Sequence, residues 1–254
     1  MTGWRGPELM AVTVARLLED DQIVFAGVGL PILAALLARS RQAPGLTIAL
    51  EGGIIGPHLA PGRLPISTNE MRAARRAGIL TGITEVFLDA QRGFFRYGML
   101  GAAQVDGYGN INTSVIGDAD APQVRLPGSG GANDIASLCE EVIILLPHQP
   151  RRFVPTVDFV TSPGNLRGGK SRREAGLVFG GPRWVVTDLA LFDFGGEGGH
   201  MRLAGLQPGV TETQVREATP IPFPAADQVA ALDPPTADEL DVLRALDTTG
   251  AILR

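Results

Sequence analysis

The order of short apolar segments and glycine turns between residues 22 and 51 constrains the fold more than any other feature of the chain. Gln22–Ala26 is a short apolar segment, and a glycine turn follows it. Pro31 then opens a helical segment that runs through Arg41, and Leu46–Leu50 is a second apolar segment, typical of a buried strand. A strand–helix–strand order of this kind predicts two parallel strands joined by a right-handed crossover.

The remaining apolar runs predict more strands and a few helices. Pro7–Glu19 is predicted as a helix, because Pro suits a first turn and the apolar residues fall on one face. A helix near Asp134–Leu138 is predicted to follow the glycines at 128–131. The predicted strands are Glu85–Leu88, Met99–Val105, Ile111–Ile116, Glu141–Leu146, Val157–Thr161 and Trp184–Thr187. The predicted class is α/β, with an open, mostly parallel sheet, flanking helices and added hairpins.

The last third of the chain contains turn and capping signals. Leu189–Phe194 and Met201–Leu206 flank the glycine-rich residues 195–199 and are predicted to form a hairpin. Capping boxes at Thr211 and Thr236 each predict the start of a short helix. Residues 1–254 are predicted to form a single domain, in which residues 219–254 make a proline-rich surface strap and a terminal helix.

Composition excludes several classes of protein. The net charge of −5 disfavours nucleic-acid binding, which needs a basic face. One cysteine and three widely spaced histidines predict neither a disulfide framework nor a metal site. The longest apolar stretch is interrupted by Gly and Pro and is too short to span a bilayer. A cytoplasmic protein without membrane association is therefore expected.

Glu51 is the first candidate for chemistry. It directly follows an apolar strand and precedes Gly52 and Gly53. Burying a carboxylate is costly unless it is paired or hydrogen-bonded, and flanking glycines allow a large group to approach it. A structural role as the cap of a turn and a functional role are both compatible with this pattern.

Two glycine clusters are candidates for binding through backbone N–H groups. The first, with Gly27 and Gly29, joins a strand to a helix and suits an anion, but it is not a complete dinucleotide fingerprint. The second, residues 128–131 with Gly130 and Gly131, precedes a helix and suits a developing oxyanion. For both clusters a plain turn or loop remains an open alternative.

Other polar residues favour structural roles. Gln104, Asp106, Asn110 and Asn112 surround a turn, where Asn and Asp are common. Cys139 follows an apolar residue and is predicted to lie in the core. Two basic clusters, residues 72–76 and 170–173, suit either coenzyme phosphates or solvent, and solvated surface charge is favoured.

Several of these segments, taken in order, resemble the beta subunit of class I coenzyme A transferases, closest to the glutaconate and 3-oxoadipate types. The resemblance covers about residues 8–219. It is carried by the following segments: Gly27-Val28-Gly29-Leu30-Pro31, Glu51-Gly52-Gly53, Leu100–Asp106 with Gly109–Asn112, Arg125–Ala132, Arg151-Arg152-Phe153 and Val157–Thr161. One departure is Glu-Gly-Gly at 51–53, where glutaconate-type subunits commonly have Glu-Ser-Gly.

The resemblance implies roles for particular residues. Glu51 would be the catalytic glutamate, which forms an acyl anhydride and then a glutamyl-CoA thioester. The backbone amides of Gly131 and Ala132 would stabilise the oxyanion, with Gly27, Gly29, Gly52, Gly53 and Gly130 as possible substrate-binding positions. Coenzyme A would be a substrate, and neither a metal nor a tightly bound cofactor is expected.

The resemblance also implies a partner. A CoA-transferase alpha subunit would complete an alpha2beta2 or larger assembly that acts on an acyl-CoA and a dicarboxylic or 3-oxo acid. Two alternatives stay open at this point. One is an acyl-CoA hydrolase or decarboxylase on the same scaffold, and the other is a non-enzymatic ligand-sensing domain.

Overall fold

A computed structural model describes residues 3–254 of the chain. The helices are α1 (Gly6–Leu17), α2 (Leu30–Ser40), α3 (Ile83–Gln91), α4 (Ala132–Leu138), α5 (Ser171–Glu174), α6 (Glu212–Ala218) and α7 (Ala237–Leu246). The strands are β1 (Ile23–Ala26), β2 (Thr47–Leu50), β3 (Ile54–Ile55), β4 (Ile79–Leu80), β5 (Tyr97–Gly101), β6 (Gln104–Val105), β7 (Ile111–Asn112), β8 (Val115–Gly117), β9 (Pro122–Arg125), β10 (Glu141–Leu145), β11 (Pro182–Val186), β12 (Ala190–Asp193), β13 (Arg202–Leu206) and β14 (Ala225–Ala231). Short 3-10 helices cover Met71–Ala74, Pro150–Arg152 and Glu197–Gly199.

The chain forms two compact units, residues 3–99 with 234–254 and residues 100–233. In the first unit the strand order is β4-β3-β2-β1-β5. β1 pairs in parallel with both β2 and β5, while β2, β3 and β4 are antiparallel. The parallel β1–β2 pair joined by α2 confirms the prediction from residues 22–51. The assignment of residues 1–254 to a single subunit domain stays a prediction.

Helices α1, α2 and α7 lie together in the first unit. Every residue of α2 from Ile32 to Ala38 is buried, which explains its uninterrupted apolar sequence. α1 begins as predicted, and the Glu8 carboxylate accepts a hydrogen bond from the Arg5 amide at 2.7 Å. Glu8 also accepts from Arg244 of α7 at 2.7 Å. Burial alone would raise the pKa of Glu8, but these two partners bring the pKa below its usual value.

The second unit contains the strand order β10-β11-β12-β13-β14 and two small hairpins, β6–β7 and β8–β9. β10–β11 and β13–β14 are parallel pairs, and β11, β12 and β13 are antiparallel. The predicted hairpin around residues 195–199 is therefore confirmed as β12–β13. Parallel pairs, flanking helices and hairpins together confirm the predicted α/β class.

Two predicted strands are wrong. Glu85–Leu88 lies in helix α3, where Val86 and Ala90 are buried four residues apart, so the helical period decides the structure. Val157–Thr161 forms no strand, and Phe159 and Val160 are each almost half exposed. Its apolar composition had indicated a buried strand, but the Asp158 side chain is bonded to the Gln104 amide and the Gly117 N–H instead.

The C-terminal segment is partly as predicted. Thr236 caps α7, and Thr211 caps α6, through reciprocal bonds with Glu239 and Gln214. The proline-rich strap, however, contains strand β14, which pairs in parallel with β13. Every residue of β14 is half-buried or exposed, so this strand lacks the apolar pattern that would have predicted it.

His148 is a buried polar residue of the second unit, and its pKa provides a test of that burial. Its ring nitrogens lie 2.9 Å from the hydroxyls of Thr187 and Thr219. Burial lowers the pKa of His148 to about 4, although the nearby Asp188 carboxylate acts in the opposite direction. We expect a titration midpoint near that value in an NMR titration of the ring.

The unfolded chain takes up a proton on this histidine near pH 6.5, well before the folded chain does. The contribution of His148 to the free energy of unfolding is therefore fully present above pH 6.5. It falls by about 3 kcal/mol as the pH is lowered towards 4. Denaturant unfolding across this range measures the loss. His148→Gln should be less stable at pH 7 and show a flatter pH dependence, whereas an equally steep dependence in that variant would assign it to other groups.

Candidate active site

Glu51 lies at the carboxyl end of β2, directly after the fully buried Leu50. The Gly53 amide donates to the Leu50 carbonyl at 3.0 Å and closes a tight turn around the glutamate. The Glu51 residue is half-buried. The carboxylate is thus held on a rigid element at an edge of the sheet and remains partly accessible.

Thr68 holds the Glu51 side chain. Its hydroxyl donates to Glu51 Oε1 at 3.1 Å from a loop that follows β3. Thr68 is not among the residues predicted from the sequence, because no sequence pattern indicates a contact between residues seventeen positions apart. The hydroxyl helps to fix the orientation of the carboxylate, which is a requirement for a well-placed nucleophile or base.

Gly52 and Gly53 are required by the packing of neighbouring loops. A Cβ at Gly52 would collide with Asn69 Oδ1 and with the Thr68 carbonyl oxygen. Gly53 has φ +94°, and a Cβ there would collide with the Thr81 carbonyl. The Thr81 amide donates to the Gly53 carbonyl at 2.9 Å. Both glycines therefore let the loops at Thr68 and Thr81 approach the backbone beside Glu51.

The first glycine turn lies at the same edge as Glu51. Phe25 of β1 is level with Ala49 of β2, so both parallel strands end together. The turn at Gly27 therefore begins about 4.8 Å, one strand spacing, from the Glu51 backbone. Gly29 caps α2 with φ +89°, and a Cβ at Gly27 or Gly29 would meet no atom within 4 Å. This open turn leaves room for a ligand beside the carboxylate.

A cavity of about 410 Å³ opens on this turn. Its lining includes Val28, Gly29, Ile66 and Arg72, together with residues that follow α7. The cavity is formed entirely by the first unit. It places apolar surface and one guanidinium beside the glycine turn.

The second glycine cluster belongs to the second unit and leads into α4. Gly131 is the N-cap of α4, and Gly128 and Gly130 have φ values of +93° and +49°. The Ala132 amide donates to the Ser129 carbonyl at 3.0 Å. An oxyanion at Ala132 would have to share or replace this bond, so the role of Gly131 and Ala132 as oxyanion donors stays a prediction.

The polar residues around the turn at 106–110 form a buried scaffold, which confirms their structural role. The Asp106 carboxylate accepts bonds from the Tyr108 and Asn110 amides and from Asn110 Nδ2. Burial raises the pKa of Asp106 despite these donors. The Asn112 side chain donates to Gln104 Oε1 at 2.7 Å.

The remaining candidates divide into buried and exposed groups. Cys139 is fully buried, as predicted, and burial raises the pKa of its thiol, which makes it a poor nucleophile. Arg172 was expected at the surface but is buried, and its guanidinium donates to the carbonyls of Pro163, Gly164, Phe179 and Ala136. This burial lowers the pKa of Arg172 to about 10.

Within residues 3–254, no three His, Cys, Asp or Glu side chains are placed to hold a metal ion together. None of the helices in the same range is long and apolar enough to cross a membrane. At the end of β2, the Glu51 carboxylate held by the Thr68 hydroxyl can act chemically as a nucleophile or a base.

Comparison with known proteins identifies relatives along nearly the whole chain. The model of a family described as coenzyme A transferase matches residues 8–218. The beta subunit of the 3-oxoadipate CoA-transferase of Pseudomonas knackmussii is 40% identical, over 99% of this chain and 96% of the relative. The crystal structure of glutaconate coenzyme A-transferase from Acidaminococcus fermentans superposes with a TM-score of 0.92 at 30% identity, covering 100% of this chain and 98% of that chain. The decarboxylase AibA/AibB superposes with a TM-score of 0.81 at 27% identity, covering 96% and 95%.

Substitution of Gly53, beside Glu51, and of Gly27, in the first glycine turn, tests the packing described above. Gly53→Ala should lower the free energy of unfolding by about 2 kcal/mol or more, because it combines a positive φ with a backbone collision. Gly27→Ala is the matched control and should change stability by less than about 0.5 kcal/mol, since its Cβ meets open space. Urea unfolding of both variants measures the difference, and equal losses would contradict the close approach of the Thr81 loop.

Proposed function

Because the chain belongs to the coenzyme A transferase family, we propose that Glu51 is the residue that takes up coenzyme A during the transfer reaction. The chain is a beta-type CoA-transferase subunit, in keeping with its relatives over nearly its full length. The observation that carries the proposal is the position of Glu51. It is a half-buried carboxylate at a strand end, oriented by Thr68 and adjoined by an open glycine turn.

The proposed reaction is a double displacement at carbonyl carbon. A Glu51 carboxylate oxygen attacks the thioester carbonyl of an acyl-CoA, the C–S bond breaks, and CoA leaves as a thiolate. The thiolate then attacks the Glu51 carbonyl of the mixed anhydride. The anhydride C–O bond breaks, the donor acid leaves as a carboxylate, and a glutamyl-CoA thioester remains. An acceptor carboxylate reverses these steps, so no net proton is taken up or released.

Backbone amides would stabilise the oxyanion that forms in each step. We assign this role to the N–H groups of Gly131 and Ala132, and substrate binding to Gly27, Gly29, Gly52, Gly53 and Gly130. The open space around Gly27 and Gly29 supports the assignment for the first turn. Preorganised amides act most strongly where water is excluded, and the anhydride and thioester intermediates also require a dry site.

A partner subunit would exclude water from the site around Glu51. The relatives are beta subunits of heteromeric transferases, and the solved AibA/AibB structure pairs two types of chain. Large apolar side chains are exposed along residues 66–94, including Ile66 at 82%, Met71 at 74% and Phe94 at 58% exposure. Exposed apolar surface of this extent is typical of an interaction site. We propose an alpha subunit as the partner in an alpha2beta2 or larger assembly.

The substrates follow from the relatives only as a class. We propose an acyl-CoA donor and a dicarboxylic or 3-oxo acid acceptor, with coenzyme A as a substrate and no tightly bound cofactor. A cytoplasmic location also belongs to this proposal, since acyl-CoA is an intracellular metabolite. A decarboxylase is a second candidate, because the AibA/AibB decarboxylase has the same fold as this chain.

Glu51 should carry the covalent intermediate. When the enzyme assembled with its alpha partner is treated with acyl-CoA, mass spectrometry is expected to find CoA or the acyl group attached to Glu51. Glu51→Gln should form no adduct and lose at least about 10³-fold in transfer rate, because the amide is a very poor nucleophile. Glu51→Asp is the matched control that retains a carboxylate one methylene shorter. Attachment of CoA or the acyl group to a residue other than Glu51 would contradict the assignment.

Dependence on an acceptor acid separates transfer from the second candidate and from hydrolysis. CoA-ester exchange between donor and acceptor should occur only when the acceptor is present, with little release of free CoA. Chromatography of the CoA esters with and without acceptor measures this. Equal release of free CoA in both conditions would indicate hydrolysis, and evolution of CO₂ from the acyl group would indicate decarboxylation.

A further inference from the structure

We propose that an arginine-rich segment of the first unit, residues 58–76, binds the phosphate groups of coenzyme A. We name this segment the basic loop. The inference rests on the proposed function, because it assigns a site for the phosphate end of the substrate whose thioester end meets Glu51. With this site, the chain itself, and not only its partner, recognises the nucleotide part of the coenzyme.

The basic loop surrounds a cavity of about 360 Å³. Its basic lining residues are His58, Arg63, Arg72, Arg75 and Arg76. Leu59, Pro61 and Met71 contribute apolar surface to the same cavity. A concave site that combines several cations with apolar walls suits an anionic ligand with a flat or apolar part.

The positive charge in this cavity exceeds the local negative charge. Arg72 is paired with Glu70. Across residues 3–254, the guanidiniums of Arg63, Arg75 and Arg76 form neither an ion pair nor a hydrogen bond with another group. A surplus of three guanidiniums stands out in a chain with a net charge of −5. Such a cluster attracts anions and raises their local concentration.

The backbone presents these arginines in a constrained turn. Arg76 has φ +56°, a left-handed conformation that side-chain-bearing residues seldom adopt. Buried Ala73 anchors the preceding turn, and the Gly78 amide donates to the Gly56 carbonyl at 3.2 Å just after it. Strained residues of this kind are retained mainly at functional sites, where the surrounding structure holds them in place.

The same loop that carries the arginines also contacts Glu51. Thr68 donates to the Glu51 carboxylate, and Arg72 follows four residues later. A four-residue segment spans at most roughly 14 Å, so the Arg72 backbone lies within that distance of Thr68. The ligand must therefore offer an electrophile to Glu51 and a concentration of negative charge a short distance away.

Acyl-CoA has this arrangement of charge. Its thioester lies at one end, and the other end carries a diphosphate and a 3′-phosphate monoester, the latter with a charge of about −1.5 to −2. Guanidinium groups bind phosphate oxygens with two parallel hydrogen bonds. The second carboxylate of a dicarboxylic acid carries a single charge and would leave most of the cluster unneutralised.

The test compares a full and a truncated substrate with the assembled two-subunit enzyme. The double variant Arg75→Ala/Arg76→Ala should raise KM for acyl-CoA on the order of tenfold or more, with a much smaller effect on kcat. The same acyl group on pantetheine lacks all phosphates, and its KM should not show this rise. Arg41→Ala is the matched control, since Arg41 is an exposed arginine of the first unit that pairs with Asp238.

Two further measurements make the outcome decisive. Raising the ionic strength should weaken CoA binding by the wild type more than by the double variant, as calorimetry can measure. Arg75→Lys/Arg76→Lys should recover part of the affinity, because it restores charge without the bidentate geometry.

An unchanged KM for acyl-CoA would overturn the proposal. A similar rise with the pantetheine thioester would assign the arginines to the acyl group, and loss of the two-subunit complex in sedimentation would assign them to the partner. Either result also overturns it. Failure of the proposed function is distinguishable, because it would appear as the absence of any adduct on Glu51 in the wild type.

Discussion

The parallel register of β1 and β2 is the constraint on which the candidate active site depends. Because Phe25 lies level with Ala49, the glycine turn after β1 and the glutamate after β2 reach the same edge of the sheet. The register in turn depends on α2, whose buried face from Ile32 to Ala38 covers this unit's core. A shift of one residue would turn Glu51 towards the opposite face, since side chains alternate along a strand.

The loops that close on this edge explain the unusual Glu-Gly-Gly sequence at 51–53. Asn69 and the Thr68 carbonyl occupy the space where a side chain at position 52 would lie. The same loop brings the Thr68 hydroxyl to the Glu51 carboxylate. The close packing that requires glycine at position 52 therefore also places this hydroxyl beside the glutamate.

Local sequence patterns predicted those elements in which the spacing of apolar residues matches the pattern of burial in the structure. The β1–α2–β2 unit, the β12–β13 hairpin and the capped helices α6 and α7 have such signals. Glu85–Leu88 was misassigned because its short apolar run, Val86–Leu88, fits a strand or a helix, and β14 was missed because none of its side chains is buried. Glu51 was identified from its flanking strand and glycines, and the basic cluster 72–76 from its charge. The contact of Thr68 with Glu51, in contrast, depends on tertiary structure that no local pattern encodes.

The pairing of Arg244 with Glu8 and of Arg16 with Glu239 has a consequence for how the chain is made. These pairs join the first and last helices within the unit that contains Glu51, and residues 100–233 separate the two parts of that unit in the sequence. During synthesis the intervening unit leaves the ribosome complete, while the Glu51 unit still lacks α7. The edge that carries Glu51 therefore acquires its full support only after α7 has been synthesised, which delays its maturation until residues 100–233 have also been made.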